Sequence, residues 1–391
     1  MLIILYPDSA AVQKGWFSWC MSASITILAV VPNCVSPRTV RFLLRLCAYS
    51  TFMLIAMYLI WFPVAASRRK GFQSVEIFTT FYNGINYGVD EEGNTVKEAS
   101  DSYCWVVGVL FGAWEFYGYD ASVHLAEETH EASSVVAKGM WSGTLATWVL
   151  SIPILALTIL CMQDFQGVVN GGYPNNFAEY CVQLLGRNGA CAFLFLIWFD
   201  GILCTAVCVL SAQRITFAIA RDGILPCSRF LSRVTDRHHL PVNAGVLVAV
   251  LSIAINAAVI GSYVAFSALT AAATVGTNLS YLIPIVARQT VGKKNFKPAK
   301  WHLGRWSLPV SCVAAGYIMF LFVVLMLPQI YPVTAETLNY CPVVIGSIAI
   351  IALGGWFFPF QLGGRYWFAG PKRTISEVEV REARVKRDDQ S

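Results

Sequence analysis

The stretch Trp114 to Thr129, WEFYGYDASVHLAEET, turns polar after an apolar run that covers only about half a bilayer. A spanning helix needs roughly 20 apolar residues, yet the run beginning at Tyr103 meets Glu115, Gly118 and Asp120 well before that length is reached. Irregular backbone at membrane depth is tolerated only where it is buried in protein or lines a water-filled cavity, and in secondary transporters such interrupted segments build the substrate site near the midplane. The alternative is a helix that simply ends at the cytoplasmic face with Asp120 already in water. In a span of ordinary length Asp120 would lie about one turn inside the boundary and Glu115 more than two, so Glu115 is the costlier acid if unpaired.

That argument presumes a membrane, and composition supplies it. The chain is 56% hydrophobic and 13% charged over 391 residues, with a mean hydropathy of +0.58, outside the range of soluble globular domains. Apolar runs fall at about Trp16–Val31, Phe42–Ala66, Met140–Met162, Ala190–Ala212, Val242–Ile260, Tyr263–Ala287, Leu308–Leu327 and Pro342–Phe360. With the interrupted run they predict about nine spans in an all-α, polytopic helical bundle. Residues 1–361 form the transmembrane domain and 362–391 a cytoplasmic tail.

Arg and Lys placement sets the orientation. Arg38, Arg41 and Arg45 precede the second span; Arg214, Arg221, Arg229, Arg233 and Arg237 fill one loop; Arg288, Lys293, Lys294, Lys297, Lys300 and Arg305 fill another. These are expected in the cytoplasm, and the acid-rich segment Ser67–Ser102 and the loops with Asp164–Arg187 and Glu336 outside. The acidic segment Glu127–Lys138 breaks the pattern, but acids weigh little in this rule. The stretch Ser211–Pro226, basic and partly amphipathic, is read as a loop able to lie on the membrane surface or to meet anionic lipid.

Gly118 lets the backbone leave the helix and bare amide and carbonyl groups, which suit a zwitterion. The substrate-site candidates are therefore Glu115, Phe116, Tyr117, Gly118, Tyr119, Asp120 and Ala121, with Asp200, an acid inside the apolar run Phe193–Val209. An intramembrane acid is a functional hypothesis; equally, Asp200 fits an interhelical hydrogen bond to a Ser, Thr or Tyr. Thr270, Thr274, Thr277, Asn278 and Ser280 make a polar stripe that reads as close helix packing before it reads as a binding face. His124, Glu127, Glu128 and His130 lack the spacing of a HExxH zinc site and read as surface or gating hydrogen bonds. Most of the 12 cysteines lie within spans as small hydrophobes; Cys181 with Cys341 or Cys104 is the pairing open on the outer face. No phosphate loop, nucleophile elbow or paired-acid signature occurs, so neither an enzyme nor a cofactor is expected.

The collinear motifs GYDASVHLAEET (Gly118–Thr129), SAQRITFAIARDGILP (Ser211–Pro226), LPVNA (Leu240–Ala244), LGRWS (Leu303–Ser307) and LNYCPVV (Leu338–Val344) resemble the fungal GABA and choline permease branch of the amino acid/polyamine/organocation transporters, from about Gly15 to Pro371. The resemblance implies a LeuT-like inverted repeat, five plus five spans with two more, whose first and sixth helices unwind around the substrate. Tyr103–Thr129 then corresponds to the sixth span, so the first two spans and most of the third are expected to be missing and the fold N-terminally truncated. Glu115 stands where the branch implies a small neutral or hydroxyl residue. The implied function is transport of amino acids, GABA, choline or polyamines by alternating access, coupled to protons, in the plasma or vacuolar membrane. Membrane lipid and the small substrate are the partners, and nucleic acid is not. The rival expectation is a non-transporting, truncated paralogue acting as a membrane partner or sensor.

Overall fold

The computed structural model describes residues 1–370 apart from 7, 8, 10, 13, 87–97, 130, 174, 295, 297, 299, 300, 360–362 and 369, and apart from the side chains of 127, 128 and 263. The loop charges Asp90, Glu91, Glu92, Lys97, Lys297 and Lys300, the candidate His130, and the tail from 371 onward lie outside the described residues.

Helices stand at all nine expected positions. They are α1 (Gly15–Val35), α2 (Pro37–Ser67), α3 (Asp101–Glu115), α4 (Ala132–Leu160), α5 (Asn176–Arg221), α6 (Val242–Asn256), α7 (Tyr263–Gln289), α8 (Ser307–Met326) and α9 (Cys341–Phe357). No β-strand occurs among the described residues. Among the described residues seven helical stretches are long and apolar enough to cross a membrane, α6 counted with the short helix that carries it on to Gly261; α3, with 15 residues, and α9, with 17, fall short.

The helix starts follow local chemistry. Ser36 caps α2 by accepting from the Thr39 amide at 3.1 Å, with Pro37 in the first turn, where its missing N–H costs nothing. Ser100 caps α3 from the Tyr103 amide, and Asn175 caps α5 from the amides of Phe177 and Ala178. Each cap satisfies one or two of the amides that a helix start leaves without an intrahelical partner.

The long helix α5 corrects two expectations. Its 46 residues begin at Asn176 rather than Ala190 and run on to Arg221, so Ser211–Arg221 is the end of a spanning helix and not a loop lying on the membrane. Length alone would make α5 too long for a bilayer, and the chain deals with this at Gly186, whose φ of 75° and ψ of 169° are non-helical. A side chain there would be strained. Arg69 reaches the kink from the end of α2 and donates from Nε to the Leu184 carbonyl at 2.7 Å.

Around α5 gather α1, α2 and α6. Tyr58 and Phe62 of α2 stack at 4.0 Å, and Phe62 meets Phe193 of α5 edge-on at 4.9 Å, a geometry that aligns ring edges with ring faces. Further along, Ala29, Leu43, Leu203, Ala206 and Val209 let α1, α2 and α5 approach closely. A second group, α7 with α3, α8 and α9, packs around Ala272, Val275, Leu325 and Cys341. The open cysteine pairing is not made: Cys181 sits in the α2/α5 core, Cys341 in the α7/α8 core, and both, like Cys104, are free thiols.

Candidate functional site

Helix α3 stops at Glu115. Phe116 already has φ −97° and ψ 17°, and the Tyr117 amide bonds the Trp114 carbonyl three residues back at 3.1 Å instead of four. Gly118 then takes the left-handed conformation, φ 87° and ψ 10°, before ten residues of 3₁₀ helix, Tyr119–Glu128. Runs of 3₁₀ geometry beyond three or four residues are uncommon and mark hinges or strain. A Cβ at Gly118 would meet nothing within 4 Å, so the glycine answers a backbone requirement and not a lack of room.

The break opens onto a cavity of about 430 Å³ between α3, α7 and α8. Trp114, Phe116, Tyr117 and Tyr119 form one wall; Ser267, Thr270, Thr274, Asn278 and Tyr281 of α7 form the second; Tyr317, Ile318 and Leu321 of α8 form the third. The Tyr117 and Thr277 hydroxyls share a hydrogen bond at 2.8 Å that ties the unwound segment to α7. Tyr117 stacks on Trp114 at 5.4 Å, and the rings of Tyr119 and Tyr281 lie 5.2 Å apart.

Among the eight candidates, Phe116, Tyr117 and Tyr119 face the cavity, and Gly118 supplies the turn between them. The Ala121 amide returns to the Gly118 carbonyl at 3.2 Å. Asp120 Oδ2 lies 3.0 Å from His124 Nε2, one 3₁₀ turn on. Glu115 turns to α4, where Ser151 donates its hydroxyl to Oε1 at 2.7 Å. Asp200 is not brought to the others: its carboxylate accepts from the Thr51 hydroxyl of α2 at 3.2 Å, and it has Cys204 Sγ at 3.7 Å.

The α7 stripe is what sequence reasoning undervalued. Ser267, Thr270, Thr274, Asn278 and Tyr281 are spaced by three, four, four and three residues and so share one helix face. The packing face is carried by Ala272 and Val275 instead. The polar spacing was present in the sequence, but a close-packing face of small residues can carry the same spacing. Asn278, in the sequence's only glycosylation sequon, points along this wall and donates to the Thr274 carbonyl at 2.9 Å.

Among the described residues no Asp, Glu, Lys or Arg lines the cavity. Its polarity comes from hydroxyls, the side-chain amides of Asn278 and Gln329 and the ends of two helical segments. The last carbonyls of α3 bring partial negative charge to the wall, while the first amides of the 3₁₀ segment after Gly118 bring partial positive charge. Opposite partial charges flanking one break can hold the two ends of a zwitterion.

The description "amino acid permease" fits residues 1–348 of the chain. The chain is similar to the thiamine transporter thi9 of Schizosaccharomyces pombe, 30% identical with 86% of this chain and 59% of that protein aligned. It is similar to the amino-acid permease BAT1 of Arabidopsis thaliana, 28% identical over 90% of this chain and 66% of the relative, and to the GABA-specific permease of Saccharomyces cerevisiae, 26% identical over 92% and 62%. It thus spans about three fifths of the length of the relatives it matches. With these helices it is an integral, multi-pass membrane protein, and it belongs to the amino acid permease family.

Proposed function

We propose that this chain forms the substrate-holding part of a secondary transporter for amino acids or related amines. One observation carries the reading: an α-helix interrupted at Gly118 opens onto a polar-striped cavity of a size suited to a small molecule. The amine sits at the carbonyl end of α3 and the carboxylate at the amide end of the 3₁₀ segment, with Thr270, Thr274 and Asn278 completing the hydrogen bonds. Transport proceeds by alternating access, the α3/α7/α8 group moving against the scaffold around α5. Protons are the proposed coupling ion, with Asp120 and His124 as the titratable pair nearest the break. The arginine-rich ends of α2 and α5 face the cytoplasm.

GABA, choline, thiamine and polyamines are the substrates to try first, because relatives bear the first, third and fourth in their names and choline follows from the motif resemblance. The test is uptake of the labelled compounds, with a panel of amino acids, in a permease-deficient host with and without an inward proton gradient. Saturable uptake that collapses with the gradient supports the reading. Expression at the membrane with uptake equal to an empty vector for every compound contradicts it.

A further inference from the structure

We infer that a basic recess at the junction of α1 and α2 holds the headgroup of an anionic phospholipid. The recess, about 660 Å³, is lined by Val35, Ser36 and Pro37 at the α1/α2 corner, by Arg38 and Arg41 of α2, and by Arg237 and His238 from the segment joining α5 to α6. Arg38 and Arg41 are three residues apart and share a face of α2. Arg237 approaches from a segment remote in sequence, so the cluster is built by the fold. Among the described residues no acid lines the recess; Asp236, next in the chain, is exposed and stands outside it. Three guanidiniums without a lining carboxylate present forks matched to phosphate oxygens.

The occupant is identified by what borders the recess. Val35 and Phe42 are exposed apolar side chains directly beside Arg38 and Arg41, and α1 and α2 both enter the membrane from this corner. A free phosphate would use the arginines alone; a phospholipid uses the arginines for its headgroup and Val35 and Phe42 for its acyl chains. Anionic lipid is enriched in the cytoplasmic leaflet, so the inference rests on the orientation given above but on none of the transport chemistry. Bound there, a lipid would pin the α5/α6 segment to the α1/α2 corner.

The probe is fluorescent phosphatidylserine added to the purified full chain in neutral micelles. Saturable binding is expected, with the phosphatidylcholine analogue weaker by about tenfold or more. The triple variant Arg38→Gln, Arg41→Gln, Arg237→Gln should lose at least about tenfold in affinity, since each basic group near a membrane surface is worth about fivefold. Arg237→Glu, a single change on an exposed segment that leaves α2 intact, should lose about fivefold or more. Equal binding of the two lipids, or unchanged binding in Arg237→Glu, overturns the inference. Displacement of the lipid by millimolar inorganic phosphate at matched ionic strength would assign the recess to free phosphate and overturn the lipid as its occupant. Because binding is read in micelles without transport, a failure of uptake leaves this result intact, and the reverse.

Discussion

Ser151 donates its hydroxyl to Glu115 across 2.7 Å, joining α4 to the last residue of the shortened helix α3. An acid at this depth is expensive without a donor; Ser151 is 8% exposed, while the Glu115 end of the bond is exposed. The bond turns Glu115 away from the cavity and leaves the break to be shaped by Gly118 and the aromatic residues around it.

Ser151→Ala is therefore expected to cost about 1 kcal/mol, the net contribution of a typical hydrogen bond. Thermal unfolding in detergent should show a lowered midpoint, and Glu115→Gln, which removes the charge needing a donor, should recover part of it. An unchanged midpoint in Ser151→Ala would mean that the carboxylate is solvated.

Gly118→Val places a β-branched side chain at φ 87°, where nothing crowds it. The penalty is conformational, about 1 to 2 kcal/mol or more for a left-handed residue, and it acts on the break itself. Uptake per molecule at the membrane should fall at least about tenfold while surface expression persists. Gly118→Asn, a residue that tolerates this conformation, should retain more activity than the valine variant. Equal activity of both would show that the break is not needed in this form.

Thr274→Val keeps side-chain shape and removes a hydroxyl that lines the cavity, so KM for the transported compound should rise, by up to about tenfold for about 1.4 kcal/mol. Ser280→Ala is the control on the same helix: its hydroxyl bonds the Thr277 carbonyl and is absent from the cavity wall. A KM that moves equally in both variants would point to a general weakening of α7.

The apolar runs were sufficient to place the spans because a bilayer demands length and apolarity and little else. The interruption at Gly118 was legible for the same reason, since Glu115, Gly118 and Asp120 have no place in an unbroken span. What the sequence hid were relationships across helices. Glu115 and Asp120 look alike as intramembrane acids; Asp120 meets His124 four residues on in its own segment, whereas only packing sends Glu115 to Ser151. The length of α5 was concealed because Asn176–Leu185 and Ser211–Arg221 are too polar for a hydropathy window yet helical, joined to the apolar centre through the kink at Gly186. The cavity face of α7 was written in the three-and-four spacing of its polar residues, but only α3 and α8 opposite it tell lining from packing.

Asp200 divides binding from scaffolding. With its carboxylate on Thr51, Asp200→Asn should leave substrate KM within about twofold, because the amide oxygen still accepts the Thr51 hydroxyl. Asp200→Leu should lower thermal stability through the stranded hydroxyl. A KM raised tenfold in Asp200→Asn would return this residue to the substrate site.

The most direct test of the central claim is equilibrium binding of the transported compound, radiolabelled, to purified wild type and to Thr274→Trp. The indole should fill the cavity between α3, α7 and α8 without touching the scaffold around α5. The account predicts saturable binding to the wild type and at least about a tenfold loss in the variant at an unchanged melting midpoint. Equal binding to both proteins would place the substrate elsewhere and contradict it.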